Sequence, residues 1–243
     1  LSDKCSYHLK IDKEKISAAI PLRKSIDARS RNIVFRILVD VYVDENPVQQ
    51  NHFINYNPVR GDKKVVIVGF GPGGMFAALK LIELGIKPII VERGKDVQER
   101  RRDIRAIQQE HIVNPDSNYC FGEGGAGAYS DGKLYTRATK RGDVKRIMDI
   151  LIQHGADPEI AVDTHPHIGS NRLPKIVKAI RQRIIDNGGE IFFNSKVSEF
   201  ILKEKKILGV KTNSGHEILG DAVILATGHS ARDIFYLLHE QKI

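Results

Sequence analysis

Val65-Val66-Ile67-Val68-Gly69-Phe70-Gly71-Pro72-Gly73-Gly74 is the stretch on which the fold turns. Its first four residues form a continuous β-branched run, the pattern of a parallel strand covered on both faces. Glycines at 69, 71 and 74 then give the spacing G-x-G-x-x-G. Helical periodicity follows over 74–84, with Met75, Ala78, Leu79 and Ile82 on one stripe. Gly85 ends that helix, and Lys87–Val91 supplies a second apolar strand. Strand, glycine turn, helix and strand make one βαβ unit of about 30 residues.

In that setting each glycine has a separate task. Gly69 permits the tight turn, Gly71 lets a pyrophosphate approach the main chain, and Gly74 lets the helix lie against the sheet. Pro72 and Gly73 sit where the helix opens, and its N-terminus offers unpaired N–H groups and a positive dipole end to phosphates. Glu92 closes the second strand, 23 positions after Gly69. A carboxylate there accepts hydrogen bonds from ribose hydroxyls and repels a 2′-phosphate. The stretch therefore predicts a dinucleotide site for FAD or NAD rather than NADP.

Working outward, residues 1–60 read as a small α+β appendage. Tyr7–Ile11 is expected as a strand and Lys13–Ala19 as a short helix. Ile33–Val43 alternates, with Phe35, Ile37, Val39, Val41 and Val43 on one face, as in a half-buried strand. Arg60-Gly61-Asp62 reads as the linker to a second domain over 61–243. Within that domain Val97–His111 is expected as a charged helix and Asp143–His154 as an amphipathic one. A further helix capped by Asn171 runs to Asp186, and a short strand follows over Ile191–Asn194. Val197–Lys203, Ile207–Thr212 and Glu217–Leu219 read as a three-stranded meander, followed by a buried strand over Ala222–Leu225. The fold class is α/β, a Rossmann-like domain with a parallel sheet and a β-meander behind a small α+β unit.

Composition narrows the function classes. The chain has 243 residues, 41% hydrophobic and 28% charged, with a net charge of +8, an ordinary globular balance. Its apolar runs fall far short of the ~18 residues that span a bilayer, so no membrane partner is expected. Two cysteines, Cys5 and Cys120, exclude a disulfide framework and fit a reducing cytoplasm. The basic residues are interleaved with acids, as in Glu99-Arg100-Arg101-Arg102-Asp103, which reads as a solvated helix face. Nucleic acid is therefore not the expected partner, although a flavoprotein acting on RNA is the alternative that the net charge suggests.

The run Gly122-Glu123-Gly124-Gly125-Ala126-Gly127-Ala128-Tyr129-Ser130-Asp131-Gly132-Lys133 is too rich in glycine for a free loop, since each glycine loses extra chain entropy on ordering. Main chain passing close to a flat ring explains it. Ser130 and Asp131 are expected on hydroxyls, and Lys133 as a cation near reduced flavin. Gly124, Gly125 and Gly132 serve the same flavin side. Cys120 reads as an inert thiol, buried or half-buried. His165-Pro166-His167 is a weak metal pair, and His229 reads as capping the helix near Ser230–Asp233.

The meander followed by Ala226-Thr227-Gly228 resembles the glutathione-reductase-like flavoproteins, as does Glu92-Arg93-Gly94 at the second strand's end. That resemblance implies FAD, with Val197 meeting the adenine through its main chain and Ala226, Thr227 and Gly228 close to the dinucleotide. The glycine-rich run, Ser25-Ile26-Asp27-Ala28-Arg29, Pro166-His167-Ile168-Gly169 and the segment from Ala226 to Asp233 together resemble the bacterial FAD-dependent dehydrogenases, also described as NAD(FAD)-utilizing dehydrogenases. The resemblance covers essentially the whole chain. It implies an FAD-dependent oxidoreductase acting on an unidentified small molecule, with NAD(P)H as candidate electron donor. Members of that family extend well past the equivalent of Ile243. The chain is accordingly read as a fragment, incomplete at its C-terminal end. It carries mainly the AMP half of the site, and is expected to be inactive alone and to retain FAD weakly.

Overall fold

A computed structural model describes residues 1–47, 53–134, 136 and 142–243. In chain order the elements are α1 (Ser2–Leu9), β1 (Ile16–Asp27), β2 (Val34–Val43), β3 (Lys64–Val68), α2 (Pro72–Glu83), β4 (Lys87–Val91) and α3 (Arg100–Glu110). They continue as α4 (Val144–Gln153), α5 (Leu173–Asp186), β5 (Glu190–Phe192), β6 (Val197–Lys203), β7 (Lys206–Thr212), β8 (Glu217–Leu219), β9 (Ala222–Leu225) and α6 (Arg232–Glu240). They form two compact units, Leu1–Ile54 with Lys133–Ile168, and Asn55–Gly132 with Gly169–Ile243. This division differs from a single boundary at residue 60. Residues 133–168 leave the second unit for the first, and no change of composition marks that crossing in the sequence.

The second unit is α/β. Its parallel sheet has the order β5-β4-β3-β9, so the apolar run of β3 lies between two neighbours. Val66, Ile67 and Ile90 are fully buried, as expected of central strands covered on both faces. From β3 the chain passes through α2 to β4 on one side, while β9 pairs on the other. The strand order thus reverses at β3, and the ends of β3, β4 and β9 open onto one crevice. The meander β6-β7-β8 is antiparallel. Its Phe200 and Val210 share a core cluster with Val66, Val68, Val91, Ala231 and Ile234. The two-residue turn between β6 and β7 puts both Glu204 and Lys205 at positive φ, the twist that a tight hairpin requires.

Two helices start later than their sequence signals suggest. Asp96 accepts the amides of Gln98 and Glu99, so the helix expected from Val97 begins at Arg100. Asn171 does not cap α5; Arg172 stands at that position and makes no side-chain capping bond, and Leu173 bonds back to the Gly169 carbonyl.

The first unit corrects the expectation for the N-terminus. Where 7–11 is expected as strand, Ser2–Leu9 is helix; where 13–19 is expected as helix, only Lys13–Lys15 form a 3-10 turn and strand begins at Ile16. Pairing of β1 with β2 from Ile16–Val43 to Asp27–Val34 overrides the local preference. The alternation read in β2 is present, but Val34–Leu38 is exposed on both faces of this two-stranded ribbon. Asp143 caps α4 by accepting the Arg146 amide. Among the described residues no helix is long and apolar enough to cross a membrane.

Candidate functional site

The crevice at the sheet's C-terminal edge holds a cavity of about 500 Å3. Gly69, Gly71, Pro72 and Gly73 form one wall, Glu92 and Arg93 another, Gly122 and Gly125–Gly127 a third, and Ala226–Ser230 a fourth. Ser195 and Val197 complete it from the start of the meander. All these residues belong to the second unit.

The three motif glycines separate into two kinds. Gly69 has φ +103°, and a Cβ there would lie 2.5 Å from the Ala226 carbonyl oxygen. A Cβ on Gly74 would lie 2.0 Å from the Gly69 oxygen. Packing alone demands those two. Gly71 has φ −76° and ψ −173°, a conformation open to any residue, and a Cβ there would meet only the Cα of Gly125, at 3.7 Å. No strain or clash explains glycine at 71. What it leaves free is room in the cavity, beside the N-terminus of α2, which has no side-chain cap and no acid in its first turn. A side chain would fill this cradle; a bare main chain with open amides fits a diphosphate.

Glu92 is buried, and its carboxylate holds three backbone segments together. Oε2 accepts the amide of Phe70 at 2.7 Å; Oε1 accepts those of Gly94 at 2.8 Å and Gly122 at 3.0 Å. The glycine turn, the end of β4 and the later loop are thus tied at one carboxylate. Two adjacent oxygens offer about four lone-pair sites, so three amides leave one for a ribose hydroxyl. Beside it, Arg93 pairs with Asp233 and lies 4.4 Å from the ring centre of Phe121.

The loop crossing β4's end is tightly nested. A Cβ on Gly94 would lie 2.6 Å from the Cα of Gly122, and one on Gly122 would lie 2.5 Å from Cδ of Arg100. Next to them Glu123 is fully buried. Its Oε2 accepts the Val97 amide at 2.6 Å and lies 3.4 Å from the Arg181 guanidinium, while Oε1 has no hydrogen-bond partner. Burial pushes this carboxyl up to about 7; the Val97 amide and Arg181 oppose that, and Asp96 and Glu92 add to it.

Of the residues singled out in the sequence, Gly69, Gly71, Pro72, Gly73, Glu92, Arg93, Gly125, Val197, Ala226, Thr227 and Gly228 come together around the cavity. Gly74 and Gly124 lie behind the wall, Gly124 donating to the Phe70 carbonyl at 2.9 Å. Ser130, Asp131, Gly132 and Lys133 do not line it. Ser130 donates to Gly127 and accepts from Gly132, closing a turn, and Lys133 lies in the first unit.

Ala126 and Gly127 of the glycine-rich run line the cavity, and Phe121 and Gly122 join them where the loop crosses Gly94. Cys120 is exposed and lines the cavity, not buried or half-buried. His229 caps nothing: α6 has Ala231 at its N-cap without a side-chain bond, and the imidazole Nδ1 lies 3.4 Å from Ser230 Oγ at the cavity. The charged run 99–103 is not all solvated, since Arg100 is 1% exposed.

Comparison with known proteins adds sequence relationships. A family model described as FAD dependent oxidoreductase matches residues 165–243, and one described as Domain of unknown function (DUF8436) matches residues 1–42. An uncharacterized protein of Clostridium beijerinckii is 37% identical over the whole chain, which spans 48% of that relative's length. A 4,4'-diapophytoene desaturase (4,4'-diapolycopene-forming) of a Methylomonas species is 42% identical over 22% of the chain and 10% of its own length. Among solved structures, THI4 of Thermovibrio ammonificans aligns with a TM-score of 0.48 at 19% identity, over 74% of this chain and 63% of its own. The chain thus spans about half the length of the Clostridium relative it matches.

Proposed function

We propose that the second unit is the FAD-binding part of an FAD-dependent oxidoreductase, and that the chain is part of a protein of the bacterial FAD-dependent dehydrogenase type. The observation carrying this is Gly71: a relaxed, unclashed position kept as glycine, facing a cavity at the open N-terminus of α2. The match of residues 165–243 to FAD dependent oxidoreductases supports FAD over other dinucleotides.

In this reading the amides at the start of α2, with Gly71 and Gly73, hold the diphosphate. Glu92 accepts from a ribose hydroxyl with its remaining lone pair, and Arg93 lends the same region positive charge. Val197 and Ala226–Gly228 close over the adenosine side. Gly125–Gly127 line the approach to the flavin side. When bound, FAD supplies hydride and electron transfer, and the protein contributes position and electrostatics. Both cysteines are free thiols, which supports a reducing compartment.

Calorimetric titration of ADP and FAD into the protein tests the reading. One shared, competitive site is expected, with ADP bound between Gly71–Gly73 and Glu92. Absence of binding by both at millimolar concentration overturns it. Bleaching of bound flavin by NADH or NADPH tests the expected donor.

A further inference from the structure

We propose that Arg100, which stands behind the cavity wall and not in it, is the positioning residue for that wall. It gathers the carbonyls of the loop around one guanidinium and so fixes the gap between Gly71 and Gly125. This inference rests on the reading of the cavity as a dinucleotide site.

Arg100 is a buried cation whose hydrogen-bond acceptors are all main-chain carbonyls. Its Nε donates to Asn118 at 2.9 Å and its Nη2 to Tyr119 at 3.1 Å. Its Nη1 donates to Glu123 and Gly125, each at 2.8 Å, and reaches Gly122 at 3.4 Å. The ring of Tyr129 lies 5.6 Å from its guanidinium carbon. Burying a cation is costly unless its donors are satisfied, and five carbonyls from one loop supply that satisfaction. The loop in turn gains a shape it cannot hold alone. Gly122, Gly124 and Gly125 all have positive φ, a conformation with high entropy to lose.

Three features tie this arrangement to the cavity. Gly122 and Gly125, two of the guanidinium's carbonyl acceptors, line it. A Cβ on Gly125 would lie 3.1 Å from Pro72 Cδ and 3.2 Å from Gly71 Cα, so Gly125 sets the distance to the first turn of α2. Gly122 lacks a side chain where the Arg100 stem passes. With the carbonyls drawn inward to Arg100, the loop's oxygen dipoles are turned from the cavity, which suits an anionic guest. Among the described residues Arg100 makes no direct ion pair, and its charge offsets those of the nearby carboxyls Glu92 and Glu123 behind the same wall.

The test compares wild type with Arg100→Lys, which keeps the charge but loses the planar fork. Affinity for ADP and for adenosine is measured by titration, alongside urea unfolding. Loss of at least about tenfold in ADP affinity, with adenosine affinity changed less than about threefold, is expected. A folded Arg100→Lys protein that binds ADP within twofold of wild type overturns the role of Arg100 alone. Equal loss of both ligands reduces Arg100 to a structural residue and also overturns it. Wild type that binds no ADP removes the parent reading and this inference together. Should the variant fail to fold, hydrogen exchange of amides 122–127 in wild type decides. Protection already present without ADP supports the proposal, and protection that arises only with ADP refutes it.

Discussion

The carboxylate of Glu92 accepts the amide of Gly122 at 3.0 Å, joining the end of β4 to a loop thirty positions later. The same carboxylate serves Phe70 and Gly94. Glu92→Ala therefore strands three buried amide donors at once. At ~1–3 kcal/mol for each unsatisfied buried group, a loss of about 3 kcal/mol or more in unfolding free energy is expected by urea denaturation. A loss under about 1 kcal/mol would show that the three segments hold without it.

Gly71 and Gly74 should separate binding from stability. Gly71→Ala places a methyl in open cavity at a relaxed backbone angle, so its cost is about 1 kcal/mol at most, from a poorer N-cap. ADP affinity should nevertheless fall at least about tenfold, since the methyl occupies the cradle. Gly74→Ala drives a methyl to 2.0 Å from the Gly69 oxygen and should destabilise by about 2 kcal/mol or more. Titration and unfolding of both variants check the contrast, which fails if Gly71→Ala retains ADP or if Gly74→Ala is as stable as wild type.

Glu123 should give the protein a specific pH dependence. Burial raises its carboxyl from 4.5 to about 7. Between those values the native state holds a proton that the unfolded chain has released. This group's contribution to stability therefore falls as pH rises from about 4.5 to about 7, then stays level, a total on the order of 3 kcal/mol. Glu123→Gln keeps an acceptor for the Val97 amide and removes the titration. Its stability relative to wild type should be higher at about pH 8 than at about pH 5. An unchanged difference between the two pH values would place the ionisation elsewhere.

Cys120 offers a reporter of occupancy. Its exposed thiol lines the cavity, whereas Cys5 lies in the other unit and is half-buried. Alkylation of Cys120 by iodoacetamide should slow when ADP or FAD is present, and that of Cys5 should not. Mass spectrometry of the two peptides reads this directly. Equal rates at Cys120 with and without saturating ligand would show that the guest lies elsewhere.

Much of the second unit was legible because its signals are local. The β-branched run before Gly69 and the glycine spacing each report a steric requirement carried by a few neighbouring residues. The meander strands agree with β6, β7 and β8 to within a residue for the same reason. Arg100 was illegible because nothing in Glu99-Arg100-Arg101-Arg102-Asp103 distinguishes it from its solvated neighbours. Its acceptors lie at 118–125, and only the crossing of that loop over Gly94 brings them near. The far end of the glycine-rich run differs. Ser130 to Lys133 continue its composition but lie outside the cavity lining, with Ser130 closing a turn and Lys133 beginning a segment of the first unit. At the start of β1 the local helix preference of residues 16–19 yielded to pairing with β2, which no short window contains.

The place of β9 beside β3 has a consequence for how the polypeptide assembles. The central strand leaves the ribosome well before Ala222–Leu225, the segment that must pair along one of its two edges. Until those four residues emerge, Val65–Val68 presents an apolar border open to mispairing. Such distant contacts are slow to close, so refolding should be limited by their arrival, and a nascent chain stopped before Ala222 should depend on chaperones.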